Sequence, residues 1–283
     1  MKPNIVFLNN KLIPQNEARI NSFDLGFFYG YGLFETMRAV NSVIFQLDSH
    51  LERLFSGQAL LNIPLVFSAD TLKQACYQVL DANKLSDCRI RITLSAGQGM
   101  PHPNAHVKKP VLLINAVRYT PPSKEIYKIG YRTLISSIKR PSPPLSLVKS
   151  TNYLSNLLAR KEATNKGFQE AVMLNEQGRV ASGSSANIFI MKKDVFYTPS
   201  LESGALPGIT RAVVLNLIKN AGYPFKEKKL TLIDLFEADE AFFTNSLIGI
   251  MPISHVDRRK LRRLSGEVTT EITDAYFRLQ TNL

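Results

Sequence analysis

Apolar positions along the chain switch repeatedly between a period of two and a period near 3.6, and the switches divide it into elements. Residues 5–8 and 11–13 read as strands joined by Asn9-Asn10, a hairpin-turn signal. Residues 33–40 alternate as a strand, and 43–46 pair with them across Asn41-Ser42. Residues 47–61 form a helix capped by Asp48 or Ser49 that carries His50 and Arg53, and residues 69–83 form a second amphipathic helix. Residues 88–95 alternate, which puts Arg89 and Arg91 on one face, and 111–117 make a further strand. After Thr120-Pro121-Pro122-Ser123, the strongest linker signal, come a strand over 131–136 and a Pro-interrupted run at Pro141, Pro143 and Pro144. A short strand follows at 146–148, then Lys149, and then a helix on the spacing of Tyr153, Leu154, Leu157, Leu158 and Lys161. Two hairpins follow, 171–174 with 179–182 and 187–191 with 195–197, and then a helix over 212–221. A strand over residues 240–244 runs into a polar turn at Asn245-Ser246. The pattern is α+β in two parts: a small domain over 1–119, a linker at 120–124 and a larger domain over 125–283.

Composition narrows this further. The 45% hydrophobic content, with 16 Phe and 10 Tyr, is enough for sizeable cores and argues against disorder. No run is long and apolar enough to span a membrane, and the N-terminus lacks a signal-peptide pattern, so the expected compartment is the cytoplasm. Two cysteines, Cys76 and Cys88, support neither a disulfide framework nor a metal site. The net charge of +12 leaves nucleic acid, an acidic membrane or a small anion as candidate partners. Its one dense cluster, at residues 258–263, reads as a solvated turn before the last helix, and no nucleic-acid module accompanies it. Net charge alone therefore does not support nucleic-acid binding, and a small anionic ligand stays among the candidates.

The chemistry centres on Lys149. A lysine at a strand end, near a helix start and apolar neighbours, is disfavoured in its charged form, which suits a Schiff-base lysine. Three small hydroxyl-rich turns lie beyond it. They are Gly183-Ser184-Ser185-Ala186, Gly208-Ile209-Thr210 and Thr244-Asn245-Ser246, the kind of material that cradles a phosphate. Residues 23–38, with Gly26, Gly30 and Gly32 among aromatics, suggest a backbone bent tightly beside something.

Taken in order, residues 23–38, His50-Leu51-Glu52-Arg53-Leu54, 149–154, 183–189, Tyr197-Thr198-Pro199-Ser200, Gly208-Ile209-Thr210-Arg211 and 238–252 resemble the class IV pyridoxal-phosphate enzymes. That family holds the branched-chain and D-amino acid aminotransferases and 4-amino-4-deoxychorismate lyase. The resemblance implies an α/β, fold type IV architecture of two domains with pyridoxal 5'-phosphate between them, usually in a homodimer. It implies that Lys149 forms the Schiff base and moves protons, and that Arg53, Ile209, Thr210 and Ser246, with Asn245 beside it, hold the phosphate. Tyr153 is placed near the cofactor's ring oxygen, and Tyr29, Arg38 and Arg91 toward the substrate. One position departs from the pattern. Where the family carries a glutamate on the pyridine nitrogen, this chain has Ser182, which cannot fix a full proton there; Glu35 is an alternative source of that charge. Within the family, residues 23–30, 197–201 and 238–246 look most like aminodeoxychorismate lyases. The loop at 97–103 lacks the arginine of D-amino acid aminotransferases. The expected activity is therefore conversion of 4-amino-4-deoxychorismate to 4-aminobenzoate and pyruvate, in folate biosynthesis, with transamination of branched-chain or D-amino acids as the alternative.

Overall fold

The computed structural model describes residues 4–99 and 109–281. Met100, Pro101, His102 and Pro103 of the loop considered above lie outside the described residues. The chain forms two compact units. One comprises the chain up to Thr120 together with Val148–Tyr153; the other comprises Pro121–Leu147 and the chain from Leu154 onward.

In the first unit the elements are β1 (Ile5–Leu8), β2 (Lys11–Pro14), α1 (Leu25–Tyr29), β3 (Gly32–Val40), β4 (Val43–Ile44), α2 (Leu47–Leu60), α3 (Ala69–Asn83), β5 (Cys88–Ser95) and β6 (Val111–Arg118). The strands make one antiparallel sheet in the order β2-β1-β6-β5-β3-β4. Both two-residue turns read from the sequence are present, with positive φ at Asn9 and Asn10 and at Asn41 and Ser42, as hairpins with twisted strands require. Helices α2 and α3 cover one sheet face. Their apolar stripes meet Leu33, Met37, Ile90, Ile92, Leu112 and Ile114, all at most 3% exposed. Cys76 and Cys88 are free thiols buried in this core. The cap expected on α2 differs: Gln46, in the left-handed region, precedes the helix without a side-chain cap, while Asp48 sits inside the first turn and pairs with Lys73.

In the second unit the elements are α4 (Lys124–Ile129), β7 (Tyr131–Ile135), α5 (Leu154–Asn165), β8 (Glu170–Leu174), β9 (Val180–Gly183), β10 (Asn187–Lys192), β11 (Val195–Pro199), α6 (Ile209–Asn220), β12 (Phe225–Lys228), α7 (Leu232–Phe236), β13 (Glu240–Asn245), β14 (Gly249–Val256), β15 (Arg259–Lys260) and α8 (Glu267–Thr281). Eight strands run in the order β12-β11-β10-β13-β14-β7-β8-β9, and β15 pairs with β14. The basic cluster is thus partly a hairpin strand rather than only a turn; Arg262 and Arg263 face Asp239 and Glu240, and Arg259 lies over the Phe236 ring. The core here is mostly strand-borne, with Ile188, Phe243, Met251 and Ile253 fully buried, and is completed by Leu235 of α7 and by loop residues such as Leu230 and Leu261. No helix among the described residues is long and apolar enough to cross a membrane.

Candidate active site

Lys149 belongs by its contacts to the first unit, and the strand expected just before it is absent. Leu145–Leu147 form a single 3-10 turn, because a Pro-rich approach leaves no ladder for a strand to join. Val148 then drops into the first unit's core at 7% exposure, which anchors the lysine by roughly 1.5–3 kcal/mol of apolar burial. Residues 149–151 lie along the free edge of β3. The Phe34 N–H donates to the Lys149 carbonyl at 2.9 Å, the Thr151 N–H donates to the Gly32 carbonyl at 2.9 Å, and Leu33 bridges Ser150. The bent glycine segment is what permits this approach. Gly30 has φ +64° and caps α1, and a Cβ there would meet the Asn152 side chain at 2.8 Å. A Cβ on Gly32 would sit 2.7 Å from the Leu94 carbonyl oxygen. The Lys149 amine ends 4.4 Å from the centre of the Phe34 ring and 5.9 Å from that of Tyr153, and the two rings meet edge to face at 5.3 Å. The following helix starts only at Leu154, five residues after the lysine.

Alternation along β3 sends neighbouring residues to opposite faces. Glu35 goes inward with Leu33 and Met37 and meets α2, where His50 and Arg53 lie one turn apart on the same face. The Arg53 fork donates Nε–H to Glu35 Oε1 at 2.8 Å and Nη2–H to Oε2 at 2.6 Å; His50 Nδ1 lies 2.7 Å from Oε2. Burial alone would raise the Glu35 pKa, but the Arg53 charge and the His50 and Arg53 hydrogen bonds outweigh it and bring it to about 2. Burial lowers the His50 pKa against the opposing pull of Glu35, and Lys149 adds to the lowering. His50 is therefore neutral at pH 7, and its Nδ1–H donates to the carboxylate. Glu35 is committed to this trio, so it is not the spare acid that the sequence left open.

The opposite sheet face carries Phe34, Thr36 and Arg38 on β3 against Thr93, Arg91 and Arg89 on β5, each pair in direct register. The Arg91 guanidinium stacks 3.9 Å from the centre of the Phe34 ring and donates to Thr93 Oγ1 at 3.1 Å. Arg38 lies over the Tyr119 ring at 5.8 Å. No carboxylate pairs with Arg89 or Arg91 among the described residues. Burial and the nearby Arg89 charge both hold the Arg91 pKa below its ordinary value, a cost that a bound anion would relieve. Arg91 is thus brought together with Phe34 and Lys149, while Arg38 shares their sheet face four residues along β3, opposite Arg89. Tyr29, the last residue of α1, is 53% exposed and packs edge to face on Phe28, apart from these contacts. Sequence reasoning alone does not reach Phe34 and Arg89 as site residues; the shared face of Arg89 and Arg91 is the available signal.

In the second unit, two of the three hydroxyl-rich turns differ from expectation in detail. The Ser184 and Ser185 hydroxyls are taken by Glu170, a buried carboxylate that also accepts from the Ser184 N–H at 3.1 Å and pairs with Arg160. They shape the loop and do not present it to a phosphate. Asn245 folds its side chain onto the Leu247 and Ile248 N–H groups at 2.9 Å each, which fixes the turn carrying Ser246. The third turn is open. Helix α6 starts at Ile209, three residues earlier than its apolar spacing indicates, and its N-cap, Gly208, supplies no side-chain acceptor. A Cβ on Gly208 would fall 2.0 Å from Asn187 Oδ1, so the helix start is pressed against Asn187, which itself donates to the Leu206 carbonyl at 2.8 Å. The first turn of α6, with Ile209 and Thr210, thus presents N–H groups and a positive dipole end that suit a phosphate. Ser182, in β9 opposite Met173, is 4% exposed, and its hydroxyl has no hydrogen-bond partner among the described residues; the same holds for the Thr244 hydroxyl. Buried hydroxyls are ordinarily satisfied, so such orphans fit walls that await a polar ligand. A primary amine held on an aromatic ring, a guanidinium, an uncapped helix start and an orphaned hydroxyl are donors that suit a phosphorylated pyridine aldehyde.

Comparison with known proteins agrees. The family model described as "Amino-transferase class IV" matches residues 32–256. The aminodeoxychorismate lyase of Bacillus subtilis is 33% identical over 96% of this chain and 93% of its own length. The solved branched-chain amino acid aminotransferase of Escherichia coli superposes with a TM-score of 0.93 at 30% identity, covering 99% of this chain and 96% of that one. A second solved branched-chain amino acid aminotransferase, from T.th. and complexed with N-(5'-phosphopyridoxyl)-L-glutamate, gives 0.90 at 28% identity, covering 99% and 95%. Branched-chain aminotransferases recur among the relatives more often than the lyase, which moves the weight from the activity expected first to its alternative. With its two-sheet fold and its match across most of the chain, this protein belongs to the class IV aminotransferase family and is a pyridoxal-phosphate enzyme of fold type IV.

Proposed function

We propose that the chain is an aminotransferase that exchanges an amino group between a branched-chain amino acid and a dicarboxylic 2-oxo acid. The observation that carries this is the sheet face beside Lys149. Arg91 shares the Phe34 ring with the lysine amine, Arg89 and Arg38 stand next to it, and neither Arg89 nor Arg91 has a carboxylate partner among the described residues. That face fits a substrate with an anionic group beyond the one at the reacting carbon. The L-glutamate moiety in the second aminotransferase complex is of this kind. The bound cofactor supplies an electron sink at the substrate's α-carbon. Lys149 holds the cofactor and moves the proton at that carbon, since a primary amine can take up a proton and return it. Arg53, Ile209, Thr210 and Ser246 hold the phosphate, Asn245 sets the turn, Tyr153 flanks the ring, and Ser182 meets the ring nitrogen. Tyr29 and Arg38 contribute to the substrate side.

The lyase is the second reading. It is favoured by the B. subtilis relative and by the turn at Asn245, and its substrate also bears two carboxylates. Incubation with 4-amino-4-deoxychorismate separates the two: release of pyruvate and 4-aminobenzoate supports the lyase. Formation of glutamate from 2-oxoglutarate and leucine or isoleucine supports the aminotransferase.

Ser182 gives a sharper prediction. A neutral hydroxyl leaves the ring less electron-withdrawing than a carboxylate would. Ser182→Glu is expected to raise transamination turnover by about tenfold, equivalent to about 1.4 kcal/mol of barrier. Single-turnover rates with one amino acid check this, and an equal or lower rate counts against the placement of Ser182. Exposed apolar side chains on α1 (Phe27, 76%) and on α5 (Leu154, 68%) support function as a homodimer, which light scattering tests.

A further inference from the structure

Arg53, Glu35 and His50 form a connected set within the first unit. Glu35 and His50 are each 1% exposed, whereas the Arg53 side chain is 12% exposed, so Arg53 is the member that reaches outward. The carboxylate grips the guanidinium at two points, Nε and Nη2, in the planar fork geometry that fixes both its position and its plane. A carboxylate on a strand can still rotate about its side chain. The His50 Nδ1–H, from the same helix as Arg53, donates to Oε2 at 2.7 Å, so that two side chains hold the carboxylate. Glu35 and His50 are both buried, where polar groups are ordinarily hydrogen-bonded, and each meets that need within the trio.

We infer that His50 and Glu35 are positioning residues for the cofactor's phosphate: His50 orients Glu35, and Glu35 orients the Arg53 guanidinium toward the anion. This rests on the reading of Arg53 as the residue that meets the phosphate. The carboxylate also offsets the guanidinium charge in a buried setting, so the arginine stays in place in the cofactor-free protein. Lys149 lies close enough to influence His50, which puts the trio within the electrostatic reach of the Schiff-base lysine.

The test is the phosphate preference of the full-length protein, measured as the ratio of dissociation constants for pyridoxal and pyridoxal phosphate, by titration of the cofactor-free chain and absorbance. Activity does not enter. Arg53→Ala is expected to collapse the ratio. His50→Leu, which keeps volume and removes the donor, is expected to lower it by about tenfold, the scale on which outer partners of ligating groups act. His50→Asn, whose amide can take the place of Nδ1–H, is expected to stay within about threefold of the unchanged protein. A merely structural histidine would weaken both ligands alike and leave the ratio unmoved. If Arg53→Ala collapses the ratio and His50→Leu does not change it, the inference is overturned while the reading of Arg53 stands. If His50→Asn loses as much as His50→Leu, ring packing and not the donor is at work, and the inference is again overturned. If Arg53→Ala leaves the ratio unchanged, the phosphate reading itself fails, and this inference with it.

Discussion

Lys149→Ala loses turnover by at least about 10³-fold and keeps its fold. The first half follows from the two duties proposed for the amine, holding the cofactor and moving a proton, since proton transfer by a positioned side chain alone is worth about 10²–10⁴-fold. The second half follows from where the segment's stability resides. Val148 is buried in the first unit's core, and the backbone bonds from Phe34 to Lys149 and from Thr151 to Gly32 do not depend on the lysine side chain. Among the contacts the substitution removes is that of the amine with the Phe34 ring, of the kind worth about 0.5–2 kcal/mol. Urea unfolding of the cofactor-free variant should therefore remain a single cooperative transition with a modest shift. A variant that retains more than a few per cent of activity, measured with the best amino acid substrate, would contradict the role given to Lys149.

Glu35→Ala is expected to have the largest effect on stability. It leaves the Arg53 guanidinium without the carboxylate that neutralises it and deprives the His50 donor of its acceptor, both in the interior of the first unit. Breaking one side of a buried ion pair costs about 3–5 kcal/mol, a large fraction of the stability of a typical domain. The same group sets an acid limit. With a folded pKa of about 2 against an ordinary 4.5, Glu35 contributes its full stabilisation above pH 4.5 and loses it progressively as the pH falls through about 2. Unfolding free energies measured from pH 7 to pH 2 should fall over that window in the unchanged protein and fall less steeply in Glu35→Ala. Equal slopes would contradict the trio as described.

The elements with clear periodicity were legible in the sequence: β3, β5, α3 and the hairpins, including the turns at Asn9-Asn10 and Asn41-Ser42. The sequence also nominates Lys149 as the reactive lysine, through the resemblance of its neighbourhood to a family, and that role belongs to the proposed function. What a side chain faces was less legible. The spacing of Leu154, Leu157 and Leu158 gives the right helix but not the right buried side; all three are more than 45% exposed, and α5 instead packs through Asn156, Ala159 and Ala163. Periodicity reports that one face is apolar, not what covers it. Ser184 and Ser185 resemble a phosphate cradle because small hydroxyls suit both anions and loops, and only the position of Glu170, remote in sequence, decides between the two. Glu35, His50 and Arg53 lie 15 and 18 residues apart along the chain, and nothing in their local sequence joins them until β3 and α2 are packed. Helix α4 and strand β12 are too short for a period to register.

The most direct test of the central claim is the absorption spectrum of the purified chain with pyridoxal phosphate, before and after borohydride, followed by mass mapping of the labelled peptide. The account predicts a visible band that bleaches on reduction and a phosphopyridoxyl mass on the peptide containing Lys149. A chain that stays colourless with excess cofactor, or a label on a different lysine, would contradict it.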